Sequence, residues 1–275
     1  MIRYINDCFG NIDDMLSFYR TSKSNVYKLV SWGCIKVNGE VIKKKEFKIK
    51  TGDLIEIDDK RIKTSDYIPW KKDLKILYED EDIIIVYKER GMLVHPDSIS
   101  NETLDNALSY YFRGQDVVFD HLHRLDLDTF GMLVCSKNIL AQSYLSSLFE
   151  KRQLDKEYIA LIEGHLGKKS GVILKRIASD RHSNKQITSN TGKDAKTIYK
   201  VIEESKEFTK VLVKIEGGRK HQIRCHFASI GHPIVGDKLY GSKYLDRELM
   251  LQFFKVEFIH PRTKKPFSFE IEQEF

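Results

Sequence analysis

The sequence predicts two α+β domains of unequal size, the larger one built on a largely antiparallel mixed sheet. A chain of 275 residues is long enough for two such domains. Its 41% hydrophobic and 31% charged residues are typical of a folded globular protein, not of a disordered or fibrous chain. Beyond residue 74 the predicted helices and strands alternate without the regular period of a parallel sheet. We therefore predict a small domain over 1–58, a linker over 59–73 and the larger domain over 74–275.

The N-terminal segment is basic, but its apolar residues keep the spacing of regular structure. Ser24 is the predicted cap of a helix, because its hydroxyl precedes a run of apolar residues at helical spacing. Alternating residues then predict a strand over 35–37, which turns at Asn38 and Gly39. A further strand is expected over Leu54–Ile57. The lysines interleaved with these elements are Lys23, Lys28, Lys36, Lys43, Lys44, Lys45, Lys48 and Lys50.

The larger domain is predicted to begin after a charged segment that lacks periodicity and contains Pro69, as linkers do. Asn101 is the predicted cap of a helix that runs to Tyr111, and a second helix is expected over 140–149. Short apolar or alternating runs predict strands at 74–78, 83–88, 92–94, 132–135, 158–162, 198–202 and 211–215.

Charge, cysteine and hydropathy patterns exclude several classes of protein. The formal net charge of +6 is a mild excess, which permits a nucleic-acid partner without requiring one. The cysteines are far apart and form no C-x-x-C pair, so we predict neither a zinc site nor a disulfide framework. Runs of about 18 apolar residues, which membrane spans need, do not occur in the sequence, and a cytoplasmic location is expected. The thiols expected to be buried and reduced are Cys8, Cys34, Cys135 and Cys225.

Two segments hold more specific polar residues than a turn or a helix needs. The first reads H-L-H-R-L-D-L-D-T-F-G and places Arg124 two positions before Asp126, at the entry to a buried strand. A guanidinium beside a carboxylate in a cleft stabilises the ionised carboxylate. The second reads G-G-R-K-H-Q-I-R-C-H-F-A, and helical spacing puts His221 and Arg224 on one face. From these residues alone, a turn aspartate and a solvated arginine remain the ordinary alternatives.

Both segments resemble the signatures of RluA-type pseudouridine synthases. The first contains H-R-L-D-x-x-T-x-G, the second contains G-R-x-H-Q-I-R-x-H, and G-H-P-I-x-G-D-x-x-Y-G follows at 231–241. The resemblance covers about residues 74–262. Residues 12–58, with S-x-V-x-K-L-V-x-x-G-x-I-x-V-N-G and G-D-L-I-E-I, resemble the S4 RNA-binding module. The resemblance thus implies a catalytic domain of the pseudouridine synthase type behind a small S4-like α+β domain.

The resemblance implies three catalytic residues. Asp126 would be the catalytic aspartate, and Tyr158 the aromatic residue that packs against the target uracil. Arg224 would be the ion-pair partner that favours the charged form of Asp126. The implied reaction needs no metal or cofactor, because it is an isomerisation in which uracil is detached from its ribose and reattached through C5.

The resemblance also implies substrate contacts outside the catalytic residues. Ile223 would form an apolar wall under the base, and Arg124 and Arg219 would hold phosphates or the flipped nucleotide. At four positions this chain departs from the residue that is common in the family, which affects the expected contacts to the RNA backbone more than the reaction. The departures are Arg90, Phe130, Lys220 and Gln252.

The expected function is therefore an RNA pseudouridine synthase, with 23S ribosomal RNA the favoured substrate and transfer RNA the second. A monomer is expected. Two other classes compete with this interpretation. A non-catalytic RNA-binding protein is disfavoured by the intact motif residues Asp126, Tyr158 and Arg224. A metal-dependent hydrolase that uses Asp126 and Asp128 lacks a third clustered acid in the sequence.

Overall fold

The N-terminal part of the chain is a small antiparallel sheet whose core is shared with two helices. Its strands are β1 (Ile2–Ile5), β2 (Ile35–Val37), β3 (Glu40–Ile42) and β4 (Leu54–Ile57), and its helices are α1 (Ile12–Phe18) and α2 (Lys23–Ser31). The strand order is β1-β4-β2-β3. Buried residues of both helices and of the sheet form one apolar core. The computed structural model describes residues 1–62, 66–98, 100–151 and 153–275.

Two local predictions in this small domain have different outcomes. Ser22 caps α2, because its hydroxyl accepts a hydrogen bond from the backbone N–H of Asn25. The predicted cap at Ser24 is therefore wrong by two residues, and Ser24 lies inside the first turn. The predicted turn at Asn38 and Gly39 is confirmed, with φ values of 50° and 86°. Both values are positive, as the tight hairpin turn between β2 and β3 requires.

The larger sheet is mostly antiparallel, as predicted, so the α+β class is confirmed. Its strands run in the order β10-β13-β14-β9-β15-β8-β6-β5, while β16 pairs with β15 and β7 with β8. Within the described residues, β8 and β15 form the one parallel pair of this sheet. Its strands are β5 (Ile76–Glu79), β6 (Ile83–Lys88), β7 (Asp120–His121), β8 (Phe130–Ser136), β9 (Asp155–Glu163), β10 (Ser170–Leu174), β13 (Lys196–Glu204), β14 (Phe208–Glu216), β15 (Leu251–Ile259) and β16 (Pro266–Glu270). A separate hairpin pairs β11 (Ile177–Ser179) with β12 (Gln186–Thr188).

Among the residues that the structure describes, three α-helices accompany the larger sheet. They are α3 (Leu104–Tyr111), α4 (Ile139–Glu150) and α5 (Gln222–Ala228). The predicted cap of α3 at Asn101 is wrong, because the side chain of Thr103 accepts the hydrogen bond from the N–H of Asn106. The predicted strand over 92–94 is also wrong, since Leu93 forms only an isolated bridge to Thr103.

The segment that joins the two parts is packed against both of them. Asp59 begins a short 3₁₀ helix (Asp59–Arg61), and its buried carboxylate accepts a hydrogen bond from the N–H of Ile139 at the start of α4. The backbone N–H of Trp70 donates to the carbonyl of Asn106 in α3, at 3.0 Å. Direct contacts between the parts include Phe18 stacked on Tyr144. The division into domains and linker stays a prediction, but these contacts hold the small domain against the larger one.

Two predictions from composition can be compared with the structure. Cys34, Cys135 and Cys225 are buried thiols, as predicted, but Cys8 is exposed, and the prediction of burial is wrong there. Cys8 lies at a bend after β1, between the exposed Asp7 and the half-buried Phe9. In the described part of the chain, no helix is long and apolar enough to cross a membrane.

A glycine allows β8 and β15 to approach each other at the start of their parallel pairing. Gly131 has a φ of 112°, and a Cβ atom there would overlap the backbone carbonyl oxygen of Phe253. A residue with a side chain therefore cannot occupy this position without separating the two strands. The loop that precedes β8 is held in place by the same contact, since Gly131 is the second residue of the strand.

Replacing Gly131 by Ala should lower the free energy of unfolding by about 3 kcal/mol, because the added methyl group meets rigid backbone. Urea unfolding followed by circular dichroism measures this quantity. Gly114→Ala is the matched control, since Gly114 has a φ of 78° but open space around its Cα. That variant should lose only about 1–2 kcal/mol, the cost of a left-handed backbone. Equal losses in the two variants would show that the close approach at Gly131 is unimportant.

Candidate active site

A cleft of about 1410 Å³ lies on the larger domain. The loop 123–129 before β8, the turn 217–221 between β14 and α5, and the segment 236–239 line it. Residues of β9 and α5 also line it, together with parts of the segments 90–97 and 246–251. The cleft contains every site residue that the sequence analysis names: Asp126, Tyr158, Arg224, Arg124, Ile223 and Arg219. The fold therefore brings residues almost a hundred positions apart into one cavity.

A buried lysine forms hydrogen bonds with the backbone of the loop that carries Asp126. Lys88, at the end of β6, has no exposed surface, and its ammonium group donates to the carbonyls of Leu127 and Thr129 at 2.8 and 2.7 Å. Burial lowers the pKa of Lys88 to about 8, and the charges of Asp126 and Asp128 only partly oppose this effect. Lys88 thus holds the loop backbone in place. The sequence predicts this residue only as the last one of a strand.

Asp126 faces two basic side chains across the cleft. Its Oδ2 atom lies 3.4 Å from Nη1 of Arg224, and its Oδ1 atom lies 3.9 Å from Nε2 of His221. The side chain keeps 22% of its surface exposed, so its carboxylate is accessible from the cavity. A carboxylate that is open on one side and faces positive or hydrogen-bonding groups on the other is suited to nucleophilic attack.

Arg224 is held mainly by a carboxylate that the sequence analysis missed. Its Nε and Nη2 atoms donate to Oδ2 and Oδ1 of Asp237 at 2.7 and 2.8 Å, in a buried bidentate pair. Burial alone lowers the pKa of Arg224, but Asp237 and then Asp126 raise it above its ordinary value. The expected pairing of Arg224 with Asp126 is therefore the weaker of its two contacts. The signal for Asp237 was present in the G-D step of the third motif.

Tyr158 lies on β9 below the cleft. Its ring stacks on Phe253 with centroids 4.8 Å apart, and only 6% of the residue is exposed. Burial, followed by the negative charge of Asp126, raises the pKa of Tyr158, so the phenol is neutral at physiological pH. The structure thus brings Asp126, Tyr158 and Arg224 together, as the resemblance implies.

The other predicted contact residues line the same cleft in different environments. Ile223 is buried, with 4% of its surface exposed, and can present only an apolar edge to the cavity. Arg124 is exposed at the cleft. Arg219 is half-buried, and its Nε atom donates to the carbonyl of Asp194 at 3.2 Å. Lys156 adds a further basic group, whose pKa burial lowers to about 8.

Two departures from the family pattern contact each other. The guanidinium carbon of Arg90 lies 3.3 Å from the ring centroid of Phe130, a cation–π arrangement. Arg90 also donates from Nε to the carbonyl of Leu249 at 3.2 Å. Gln252 is fully buried and binds the backbone of the C-terminal segment through Glu272 and Glu274. These departures therefore replace packing around the site and leave Asp126 and Arg224 in place.

Comparisons with known proteins give matches for both parts of the chain. Residues 82–229 match the model of the RNA pseudouridylate synthase family, and residues 13–55 match that of the S4 domain. An uncharacterized RNA pseudouridine synthase of Aquifex aeolicus is 36% identical, over 92% of this chain and 86% of the relative. A ribosomal large subunit pseudouridine synthase D of Haemophilus ducreyi is 35% identical, over 81% and 69%. The solved structure of human RNA pseudouridylate synthase domain containing 1 has a TM-score of 0.62 and 27% identity, covering 73% of this chain and 83% of that one.

The chain belongs to the RNA pseudouridylate synthase family and carries an S4 domain at its N-terminal side. It is an RNA pseudouridine synthase, an isomerase that converts uridine to pseudouridine in RNA. The two alternative functions, a metal-dependent hydrolase and a non-catalytic RNA-binding protein, are therefore wrong for this chain. The resemblance drawn from the sequence motifs is confirmed at the level of family and fold.

The buried ammonium group of Lys88 predicts a pH dependence of stability. Between pH 8 and the ordinary lysine value of 10.5, the unfolded chain binds more protons at this residue than the folded protein does. The contribution of Lys88 to stability must therefore rise with pH across this window, and Lys88→Met removes it. Urea unfolding at a series of pH values should show the wild type gaining stability relative to Lys88→Met from pH 8 to 10.5. The exposed Lys200→Met gives the baseline, and a pH-independent difference for Lys88→Met would contradict the prediction.

Proposed function

We propose that this enzyme modifies ribosomal RNA of the large subunit and that Asp126 is its catalytic nucleophile. The observation that supports the catalytic role is the position of the Asp126 carboxylate, which is open to the cleft and lies 3.4 Å from the guanidinium of Arg224. Tyr158 and Ile223 line the same cavity. The reaction requires a charged carboxylate, an adjacent cation and an apolar surface for a base within one cavity.

The reaction needs a nucleophile and a way to hold a mobile base. The bond between N1 of uracil and C1′ of ribose breaks, and a bond between C5 and C1′ forms. The proton leaves C5 and a proton is taken up at N1, so the composition of the RNA is unchanged. Asp126 attacks either the ribose or the pyrimidine ring, and both routes need the ionised carboxylate. Arg224 places its guanidinium 3.4 Å from Oδ2 of this carboxylate.

The target nucleotide must leave its stack to reach Asp126. Extrusion of a base costs a few kcal/mol, and less in loops or beside mismatches. Stacking of a base on an aromatic ring contributes about 1–3 kcal/mol, so contact with Tyr158 offsets part of that cost. Ile223 covers the opposite face in this proposal, while Arg124 and Arg219 hold the flanking phosphates. Recognition then depends more on RNA shape than on reading bases.

The choice of ribosomal RNA rests on the name of the Haemophilus ducreyi relative and on the S4 domain. The lysines of the S4 domain add attraction for phosphates that does not depend on sequence. We propose a monomer that acts in the cytoplasm, where this RNA is assembled into subunits.

Mapping of pseudouridines in total RNA, with and without the gene, tests the target. Sites lost from 23S RNA support the proposal, and sites lost only from transfer RNA would contradict it.

Asp126→Asn should reduce pseudouridine formation about a thousandfold or more, because a side-chain amide is not a nucleophile at neutral pH. The measurement is chromatographic separation of the nucleosides after incubation with unmodified ribosomal RNA, because pseudouridine and uridine have the same mass. Asp128→Asn is the matched control, since Asp128 lies in the same loop, also borders the cleft and is exposed. It should retain activity within about tenfold. Turnover by Asp126→Asn comparable to that of the control would refute the catalytic role.

Lysines on the S4 domain should determine how RNA affinity responds to salt. Lys36, Lys44 and Lys48 are exposed, and each phosphate contact contributes about 0.7–0.9 to the slope of log K against log salt. Replacing the three by Ala should therefore lower the slope by about 2, with the single-turnover rate at saturating RNA unchanged. RNA-binding titrations at several salt concentrations measure the slope. The control replaces Lys168, Lys200 and Lys206, which are exposed on the larger domain. An unchanged slope in the first triple variant would show that these lysines do not contact phosphate.

A further inference from the structure

His221 occupies an unusual backbone position at the edge of the cleft. It precedes α5 with φ and ψ of 54° and 23°, the left-handed region that favours glycine and asparagine. Its side chain is 10% exposed and has a polar partner at each ring nitrogen. Nδ1 lies 3.2 Å from the hydroxyl of Tyr240, and Nε2 lies 3.9 Å from Oδ1 of Asp126. The strained backbone therefore accompanies a ring that points between Tyr240 and the proposed nucleophile.

The hydrogen bonds of Tyr240 support one of the two neutral tautomers of His221. The hydroxyl oxygen of Tyr240 accepts from the backbone N–H of Gln186, at 2.7 Å. The hydroxyl keeps its own hydrogen to donate, and Nδ1 of His221 lies within hydrogen-bond distance of it. A neutral imidazole that accepts at Nδ1 has its proton on Nε2. That N–H then faces Asp126.

The charges around His221 agree with a neutral ring. Burial lowers the pKa of His221, the charges of Arg224 and Lys220 lower it further, and those of Asp126 and Asp237 oppose them. Burial raises the pKa of Tyr240, which keeps its hydroxyl protonated. Both residues are thus in the protonation state that the hydrogen-bond geometry requires at neutral pH.

We propose that Tyr240 and His221 form a positioning pair that directs an Nε2–H donor at Oδ1 of Asp126. This inference rests on the proposed role of Asp126. Arg224 faces Oδ2, so the two donors together fix the plane of the carboxylate. The separation of 3.9 Å is longer than a hydrogen bond, and contacts of this kind tighten when substrate closes the site. His221 and Tyr240 thereby act on the rate of the reaction through Asp126.

The pair also connects the active site to the β11–β12 hairpin. Gln186, which fixes the hydroxyl of Tyr240, is the first residue of β12. Asn184, two residues earlier, borders the cleft. RNA that contacts this hairpin therefore contacts the element whose Gln186 N–H donates to the Tyr240 hydroxyl. Loss of the hydroxyl in Tyr240→Phe should disconnect the hairpin from His221 without removing a charge.

The first test compares His221→Asn with His221→Gln in single-turnover assays. Asn tolerates the left-handed backbone and keeps a polar group near Tyr240, but it is too short to reach Asp126. The rate constant should fall about 100-fold with little change in RNA affinity. Gln extends an amide N–H toward the position of Nε2 and should recover at least about tenfold of that loss. Equal rates for the two variants, or a loss confined to RNA affinity, would overturn the proposal.

The second test observes the tautomer directly and does not depend on activity. Nitrogen NMR shifts of ¹⁵N-labelled histidine distinguish protonated from unprotonated ring nitrogens, and His221→Asn identifies the signals of His221. We expect Nε2 protonated and Nδ1 unprotonated at neutral pH, with this preference lost in Tyr240→Phe and the rate reduced about tenfold. A proton on Nδ1 in the wild type would overturn the proposal. If the tautomer is as expected while Asp126→Asn keeps full activity, the nucleophile assignment fails and not the tautomer.

Discussion

The site depends on one guanidinium that serves two carboxylates. Arg224 is buried in a bidentate pair with Asp237, and its remaining Nη1 atom reaches toward Asp126. A buried charge is strongly unfavourable without such a partner. Asp237 therefore satisfies the arginine, and the remaining Nη1 atom lies 3.4 Å from Oδ2 of Asp126. In the proposed mechanism this unequal sharing places a positive charge beside the nucleophile Asp126, while Asp237 forms the main ion pair of Arg224.

The rest of the fold keeps Asp126 at the correct place beside Arg224. The parallel contact of β8 with β15 at Gly131 fixes where the loop ends. Lys88 binds the carbonyls of Leu127 and Thr129 from β6, so the backbone that follows Asp126 is anchored to the sheet. Arg224 is positioned from the opposite wall by α5. The carboxylate is thus carried by a loop, but its position is set by strands, which hold it more precisely than a free loop would.

Sequence reasoning succeeded where the signal is local and failed where a residue's role depends on distant partners. The strand Ile83–Lys88 has the bounds that its apolar run predicts. By contrast, β1 was missed, because its four alternating residues pair with β4, whose strand lies about fifty residues downstream. The motifs located Asp126 and Arg224, but no local pattern shows that Asp237 holds the arginine or that Lys88 lies under the loop. Those relations arise only when strands from different parts of the chain meet.

The most direct test of the account is the single-turnover rate constant of Arg224→Lys, measured together with RNA affinity. Lysine keeps the positive charge but cannot bind both oxygens of Asp237 and also reach Asp126. The account predicts a rate at least about 100-fold lower, with RNA affinity within about threefold of the wild type and an unchanged circular dichroism spectrum. Equal losses of rate and affinity in the folded variant would contradict it, because Arg224 would then be an RNA contact and not the group that stabilises Asp126.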